Sequence, residues 1–500
     1  MATSSDLLNQ ALALHRSGQL ARAKGLYEQI LASTPDHADA THLLGLVERA
    51  LGNASRAHLL VSQAVRLNPN HPAYQSNLGN ILRDAGEHET AEAAYKRALK
   101  LAPGFVEALN NLAVLYLRRR SHQKALNLLR QAIKLNPRFA DAHNNLGNAL
   151  LGLGQPKEAI KAFKMALRIN TQHQDAQYNL GNAALCLNDL DSARTHFESA
   201  AALSSVSAAG LASSLRQAII LYLQFDFDGA ELAIEKARAL TESPTGETRH
   251  SKIYRDYLQR LLRWWHQQPP QEQNGTEEHL HVIGESHALS VHGIKVHLDR
   301  PLRCASHWIE GCKQWHLGRS EANQFKCQFE NIMAQIPRGS QVMLTIGEID
   351  CRHDEGLLPS WKKDTSQSIE QLIAATVDPY VQYVGRVAKK TNHHLLIAGV
   401  PASNFPREAI SLIDQPLLAN LIQLFSQQIK ISAARHGHHF IDVHSMTAGA
   451  DGYSHGIWHL DEHHLRPDAW QEAMTRWLVA SKGPMEEAAL RELARKVLPG

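Results

Sequence analysis

Three short strings late in the chain carry residue types that can do acyl chemistry. Gly284-Glu285-Ser286-His287 offers a hydroxyl nucleophile. Asp461-Glu462-His463-His464-Leu465 sets an aspartate three residues before a histidine. An acid at that spacing can hold one ring nitrogen of His464 and leave the other free to take a proton from a serine. Gly347-Glu348-Ile349-Asp350-Cys351-Arg352 stands between them, as does Gly318 in Trp315-His316-Leu317-Gly318. The expected roles are Ser286 as nucleophile, His464 as base and Asp461 as the group that orients it. The backbone N–H of Ser286 is an expected oxyanion donor. Gly284, Glu285, His287, Gly347, Glu348 and Asp350 are expected to line the pocket. The G-x-S-x-G elbow of ordinary α/β-hydrolases is absent around Ser286.

Histidine is the compositional oddity, with eighteen of 30 lying from His279 onward. His436, His438 and His439 cluster, but no H-E-x-x-H signature accompanies them. His279 and His281 lie one strand period apart at the entrance to an expected sheet. Neither set makes a metal site, so no metal and no cofactor is expected. His287 and His463 lie close enough to the candidate site to affect its protonation.

The elements that must position these residues are alternating strands and helices. Apolar runs at 279–283, 342–346, 395–400 and 440–443 read as strands, and 323–335, 366–390 and 417–435 as helices. Strands separated by helices imply a parallel sheet covered on both faces. Ligands in such sheets bind beyond the carboxyl ends of the strands. Ser286 follows the first run and Gly347 the second, where a site is expected.

The set resembles the SGNH, or GDSL-like, hydrolase superfamily over 279–482. That resemblance implies a three-layer α/β domain and an esterase or acyltransferase acting on acylated carbohydrate or another small ester. The family's first block, Gly-Asp-Ser, reads here as Gly284-Glu285-Ser286. Its second-block glycine, an oxyanion N–H, would be Gly318. Its third block, Gly-x-Asn-Asp, reads Gly347-Glu348-Ile349-Asp350, so the donating asparagine is missing. Asp461 and His464 match the last block, Asp-x-x-His. Losing one oxyanion donor costs roughly 2.7–4 kcal/mol of transition-state stabilisation, about 10²–10³ in rate. Arg352 could replace it, positioned by Glu348 or Asp350. Two other readings stand: an acidic turn paired to Arg352 for structural reasons, and a domain that binds glycan or protein without catalysis.

The first two-fifths of the chain has a different grammar. Pro35, Pro69, Pro103 and Pro137 lie 34 residues apart, and Ala23, Ala57, Ala91, Ala125, Ala159 and Ala193 keep the same step. Gly45, Gly79, Ala113, Gly147 and Gly181 share it, with Tyr27, Tyr95, Phe163 and Phe197 four residues after their alanines. The small residues let paired helices approach, the aromatics fill the gap, and the prolines end each second helix. This resembles the tetratricopeptide repeat family, with six repeats over 1–204 forming an all-α solenoid. Asn77, Asn111, Asn145 and Asn179 form a ladder through it, similar to that of O-linked N-acetylglucosamine transferase repeats. One reading is hydrogen bonding between repeats; the other is a row of amides gripping a peptide backbone.

Residues 205–267 read as helices that cap the open end of the solenoid. Trp264 and Trp265 either dock on the next domain or fill the cap's own core. Residues 268–278 (QPPQEQNGTEE) read as a linker, and 483–500 as a C-terminal helix. A net charge of +3, from 52 basic and 49 acidic residues, gives no pull toward nucleic acid. Five cysteines without a C-x-x-C pair read as free thiols in a reducing compartment. With no apolar run long enough to span a membrane, a cytoplasmic location is expected. The expected partner of the repeats is a protein or peptide.

Overall fold

The computed structural model describes residues 3–203, 208–241, 249–268 and 278–482. The expected C-terminal helix at 483–500 and most of the expected linker at 268–278 lie outside the described residues. The chain divides into two compact units between Asn179 and Leu180.

The repeats are helix pairs: α1 (Ser4–Arg16) and α2 (Leu20–Ser33), α3 (Ala38–Ala50) and α4 (Ala54–Leu67), α5 (Pro72–Asp84) and α6 (His88–Leu101), α7 (Val106–Arg118) and α8 (His122–Leu135), α9 (Ala140–Gly152) and α10 (Pro156–Ile169), α11 (Gln174–Cys186) and α12 (Leu190–Leu203). The prolines at the 34-residue step fall two residues beyond α2, α4, α6 and α8, where they cannot continue the helix. The period-keeping alanines and the aromatics Tyr27, Tyr95, Phe163 and Phe197 are all fully buried.

The repeated glycine is a packing requirement. A Cβ on Gly79 would stand 2.6 Å from the Tyr95 ring, and one on Gly147 2.3 Å from Phe163. Glycine-to-alanine in a helix normally stabilises by about 1 kcal/mol, but that contact lies far inside van der Waals distance. Gly147→Ala is therefore expected to destabilise the repeats by about 1–3 kcal/mol through overpacking. Urea unfolding followed by helical circular dichroism would measure it, and an unchanged or raised midpoint would refute the packing role.

In the second unit, α13 (Ala208–Leu223), α14 (Phe227–Thr241) and α15 (Arg249–His266) precede a six-stranded mixed sheet. Its strands are β1 (His279–Gly284), β2 (Lys295–His297), β3 (Pro301–Trp308), β4 (Gln341–Thr345), β5 (His394–Ala398) and β6 (His439–Ile441), ordered β2-β3-β1-β4-β5-β6. The interleaved helices are α16 (Ser286–Val291), α17 (Gln314–Gly318), α18 (Gln324–Gln335), α19 (Leu357–Lys363), α20 (Ile369–Thr391), α21 (Asp414–Arg435), α22 (His444–Thr447) and α23 (Pro467–Lys482). β3, β1, β4, β5 and β6 run parallel. β2 pairs antiparallel with β3 and corrects the expectation of an all-parallel sheet. Gly293 turns the chain at φ +79° just before β2, and three residues separate β2 from Pro301, too short for a crossover helix.

Ile283, Val342, Leu344, Leu395 and Ile397 point to one core, shared with α18, α20 and α21. Their neighbours Val282, Met343 and Leu396 are equally buried and face the opposite side. The strands thus read as continuous apolar runs because both faces are covered. β1 lies between β3 and β4, so the chain leaves it first to one side and then to the other. That reversal opens a crevice at the carboxyl end of β1. Gly284 closes the strand there, since a Cβ would stand 2.0 Å from Thr345 Oγ1.

The segment 205–267, expected as an end cap for the repeats, makes close contacts with the α/β part through α13 and α15. Tyr222 of α13 donates to the Leu289 carbonyl (3.0 Å), and Trp265 Nε1 donates to the Tyr222 hydroxyl (2.9 Å). Trp265 also stands 3.1 Å from where a Cβ on Gly293 would lie. Trp265 fits both readings, since it also stacks on Phe227 of α14 with centroids 5.9 Å apart.

Candidate functional site

The Asp461–His464 pair forms as its spacing expects. His464 Nδ1 lies 2.9 Å from both Asp461 oxygens, and the His463 and His464 backbone N–H groups each donate to Asp461 Oδ1 at 2.8 Å. Burial pushes the Asp461 carboxyl upward, but the His464 charge and these hydrogen bonds outweigh it and hold it well below the usual carboxylate range. His464 is buried, and that burial draws its pKa down against the pull of Asp461.

Ser286 opens α16 directly after β1 and is 1% exposed. Its hydroxyl donates to Glu285 Oε2 at 2.8 Å. Tyr257 of α15 connects it to His464. The Tyr257 hydroxyl donates to the Ser286 carbonyl at 2.9 Å, and its ring stacks on His464 with centroids 3.7 Å apart. His287 lies on the same side, its ring 5.5 Å from that of His464. Both His287 nitrogens are buried without a hydrogen-bond partner, as is Glu285 Oε1. Glu285 Oε1 stands 3.6 Å from His287 Nδ1.

The string after β4 builds an ion network. Arg352 Nε lies 3.0 and 2.9 Å from the two Glu348 oxygens, its Nη2 2.8 Å from Oε2, and its Nη1 2.8 Å from Glu355 Oε1. His463 Nδ1 approaches Glu348 Oε1 at 3.3 Å. Burial draws the His463 imidazole down, but its hydrogen bond to Glu348 and the charge of that carboxylate together outweigh this and leave it above its ordinary value. Of the two carboxylates expected beside Arg352, Glu348 is the one that pairs with it, an arrangement that an acidic turn held for structural reasons also gives. Asp350 does something else: its Oδ2 accepts the Gln314 backbone N–H at 2.8 Å, and burial pushes its carboxyl up to about 7. Gln314 Nε2 in turn donates to the Ile346 carbonyl and fills the space beside Gly347. Gly347 sits at φ +147°, a backbone region that favours glycine.

Gly318 is not brought to this cluster by its contacts. A Cβ there would meet Tyr380 N at 3.1 Å and Pro379 at 3.2 Å, so the glycine serves close packing of α17 on α20. Glu285, His287 and Glu348 bring three possible metal-ligand atoms within 4.8 Å of one another. Arg352 already lies across both Glu348 oxygens and supplies the compensating charge. A cleft lined by Glu348, Arg352, His353, Phe405 and His463 opens beside this network. Another, lined by Lys252, Arg260, Asn404 and Asp461, opens beside the Asp461 loop.

The asparagine ladder spends its amides between repeats. Asn145 Nδ2 donates to Asn110 Oδ1 at 2.9 Å, and Asn179 Nδ2 to Asn144 Oδ1 at 3.0 Å. Asn77 Nδ2 meets His42 Nε2 at 3.0 Å. Each partner lies 35 residues back. Asn111 holds the same step and is half-buried like the other three.

One tetratricopeptide-repeat family model matches residues 8–72, 42–104, 76–129 and 110–174, and a second matches 150–204. Residues 8–204 are tetratricopeptide repeats. Repeats of this class mediate protein–protein interaction. Among solved structures, PilF of Pseudomonas aeruginosa is 20% identical at a TM-score of 0.38, over 44% of this chain and 96% of that one. Human IFIT1 is 19% identical at 0.45, over 54% and 65%. A tetratricopeptide repeat protein from Parabacteroides merdae is 16% identical at 0.42, over 51% and 98%. No curated protein matches the chain. Among the described residues, no helix is long and apolar enough to cross a membrane.

Beyond the tetratricopeptide repeats, Tyr257 and Gln314 are the site residues that sequence spacing missed. Tyr257 lies in an ordinary amphipathic helix 29 residues before Ser286, and no local pattern marks it.

Proposed function

We propose that the α/β part of the second unit is a serine esterase or acyltransferase of SGNH type, acting on an acylated carbohydrate or another small ester. The repeats take a protein or peptide partner. The observation that carries the enzymatic reading is the Asp461–His464 pair, bound at Nδ1 and joined through Tyr257 to the residue that bears the hydroxyl. Asp461 fixes the proton on Nδ1, leaving Nε2 as the base. In the reaction the Ser286 hydroxyl turns from Glu285 to His464, gives its proton to Nε2, and its oxygen bonds to the ester carbonyl carbon. Collapse of the tetrahedral adduct breaks the ester C–O bond, and the proton on Nε2 goes to the departing alkoxide. Water or an acceptor hydroxyl then releases the acyl group by the reverse transfer. The Ser286 N–H and Arg352 are the proposed oxyanion donors.

A second reading has its own observation. The Ser286 hydroxyl is held by Glu285 rather than by His464, and the third-block asparagine is absent, as in a site that binds without turning over. A fluorophosphonate probe separates the two. Labelling of the wild type, lost in both Ser286→Ala and His464→Ala, is expected. A folded wild type that stays unlabelled would end the enzymatic reading in favour of the binding-only one.

A further inference from the structure

One face of α15 meets the carboxyl ends of β1 and β3 and the loop before α23. Tyr254, Tyr257 and Arg260 are spaced three apart and share that face. The Tyr254 ring stands edge-on to Trp308 at the end of β3, with centroids 6.2 Å apart. Tyr257 meets Ser286 beyond the end of β1 and His464 in the loop before α23. Arg260 Nη1 donates to the Leu460 carbonyl, four residues before His464, at 2.8 Å. Two pieces of the site, Ser286 and the loop that carries His464, and the end of the neighbouring strand β3 are thus tied to one rigid rod.

We infer that α15 is a working part of the site, and that Tyr257 is a positioning residue that sets the Ser286 backbone and the His464 ring relative to each other. This rests on the proposed acyl chemistry for its kinetic consequence, but not for its geometry. Tyr257 is fully buried and touches both groups with different parts of one side chain: the hydroxyl holds the Ser286 carbonyl, and the ring face covers the imidazole. A rigid aromatic with two torsions holds two partners at a fixed separation better than a longer, more flexible side chain could. The ring also excludes water from one face of His464, and that burial holds the imidazole low.

Two substitutions separate the contacts. Tyr257→Phe keeps the stack and loses the hydrogen bond; Tyr257→Ala loses both. With the proposed chemistry, Tyr257→Phe should slow fluorophosphonate labelling several-fold and leave its pH midpoint in place. Tyr257→Ala should slow it by about 10²-fold, the scale of a misplacement near 1 Å, and move the midpoint upward as water reaches the ring. The imidazole titration of His464, followed by NMR in the same full-length proteins, reads the positioning without any turnover. An unlabelled wild type with a midpoint that rises in Tyr257→Ala would overturn the acyl chemistry and keep the role of Tyr257. Wild-type labelling rates and His464 midpoints in both variants would overturn the role itself. Should Tyr257→Ala fail to fold, the Phe variant still decides, because a wild-type labelling rate there removes the hydroxyl contact from the proposal.

Discussion

Asp461→Asn should lower the rate of fluorophosphonate labelling at Ser286 by about 10⁴-fold, the scale seen when a triad acid becomes an amide. The local geometry says why. Asp461 Oδ1 accepts the backbone N–H groups of His463 and His464. An asparagine would keep its carbonyl oxygen on those two donors and turn its NH₂ toward His464 Nδ1. The imidazole would then carry its proton on Nε2, where it cannot accept one from serine. Because the backbone bonds survive, the loop keeps its shape and a loss of rate is not a loss of fold. The same carboxyl gives a pH signature. Its folded pKa is depressed, so its stabilisation is complete above the unfolded value of about 3.9 and is lost as pH falls through the folded value. Wild type should lose stability on acidification more steeply than the asparagine variant. A variant labelled within tenfold of wild type would remove Asp461 from the chemistry.

Arg352→Met should destabilise the second unit by about 3–5 kcal/mol, the usual cost of stripping one partner from a buried ion pair. The Arg352 and Glu348 side chains are each only 12% exposed, and Glu285 lies buried nearby. Removing the guanidinium leaves two carboxylates close together, with the His463 imidazole beside Glu348 and His287 beside Glu285. All eight tryptophans lie at Trp264 or later, so tryptophan fluorescence in a urea titration reports the second unit alone. Adding Glu348→Gln to Arg352→Met should recover part of the loss. His463 sets the sign with pH. Its folded pKa is raised by Glu348, so its contribution is complete below the unfolded value of about 6.5 and fades as pH rises through the folded one. A loss below about 1 kcal/mol would mean that the network behaves like an exposed ion pair.

What could be read from the sequence was what is local or periodic. The repeats announce themselves because each unit solves the same packing problem with the same glycine and aromatic, as at Gly79 with Tyr95. Asp461 and His464 were legible because their contact spans three residues. The strands β1, β4 and β5 show as apolar runs because both faces are largely buried, and Phe440, Ile441 and Val443 mark β6. β2 and β3 do not: Lys295 and His297 interrupt the pattern on the edge strand β2, where one side is unpaired, and Pro301 and Arg303 interrupt it at the start of β3. Gly318 drew attention as a glycine in a promising string, yet its small size serves the approach of α17 to α20. Tyr257 was illegible for a different reason. Its two contacts cross 29 and 207 residues of chain, and only the tertiary fold brings them to one ring.

The ladder of side-chain amides has a consequence for how this chain can change length. Each rung reaches back 35 residues, one more than the repeat itself, so Asn145 finds Asn110 and Asn179 finds Asn144. Inserting or excising one whole 34-residue unit keeps each amide 35 residues from the same repeat position, which is His42 for Asn77 and an asparagine for Asn145 and Asn179. A deletion one residue longer or shorter turns the helix by about 100° and leaves a half-buried amide facing the wrong residue. The array can therefore grow or shrink by duplication, as a row of identical links does, but it resists drift in the length of any single link.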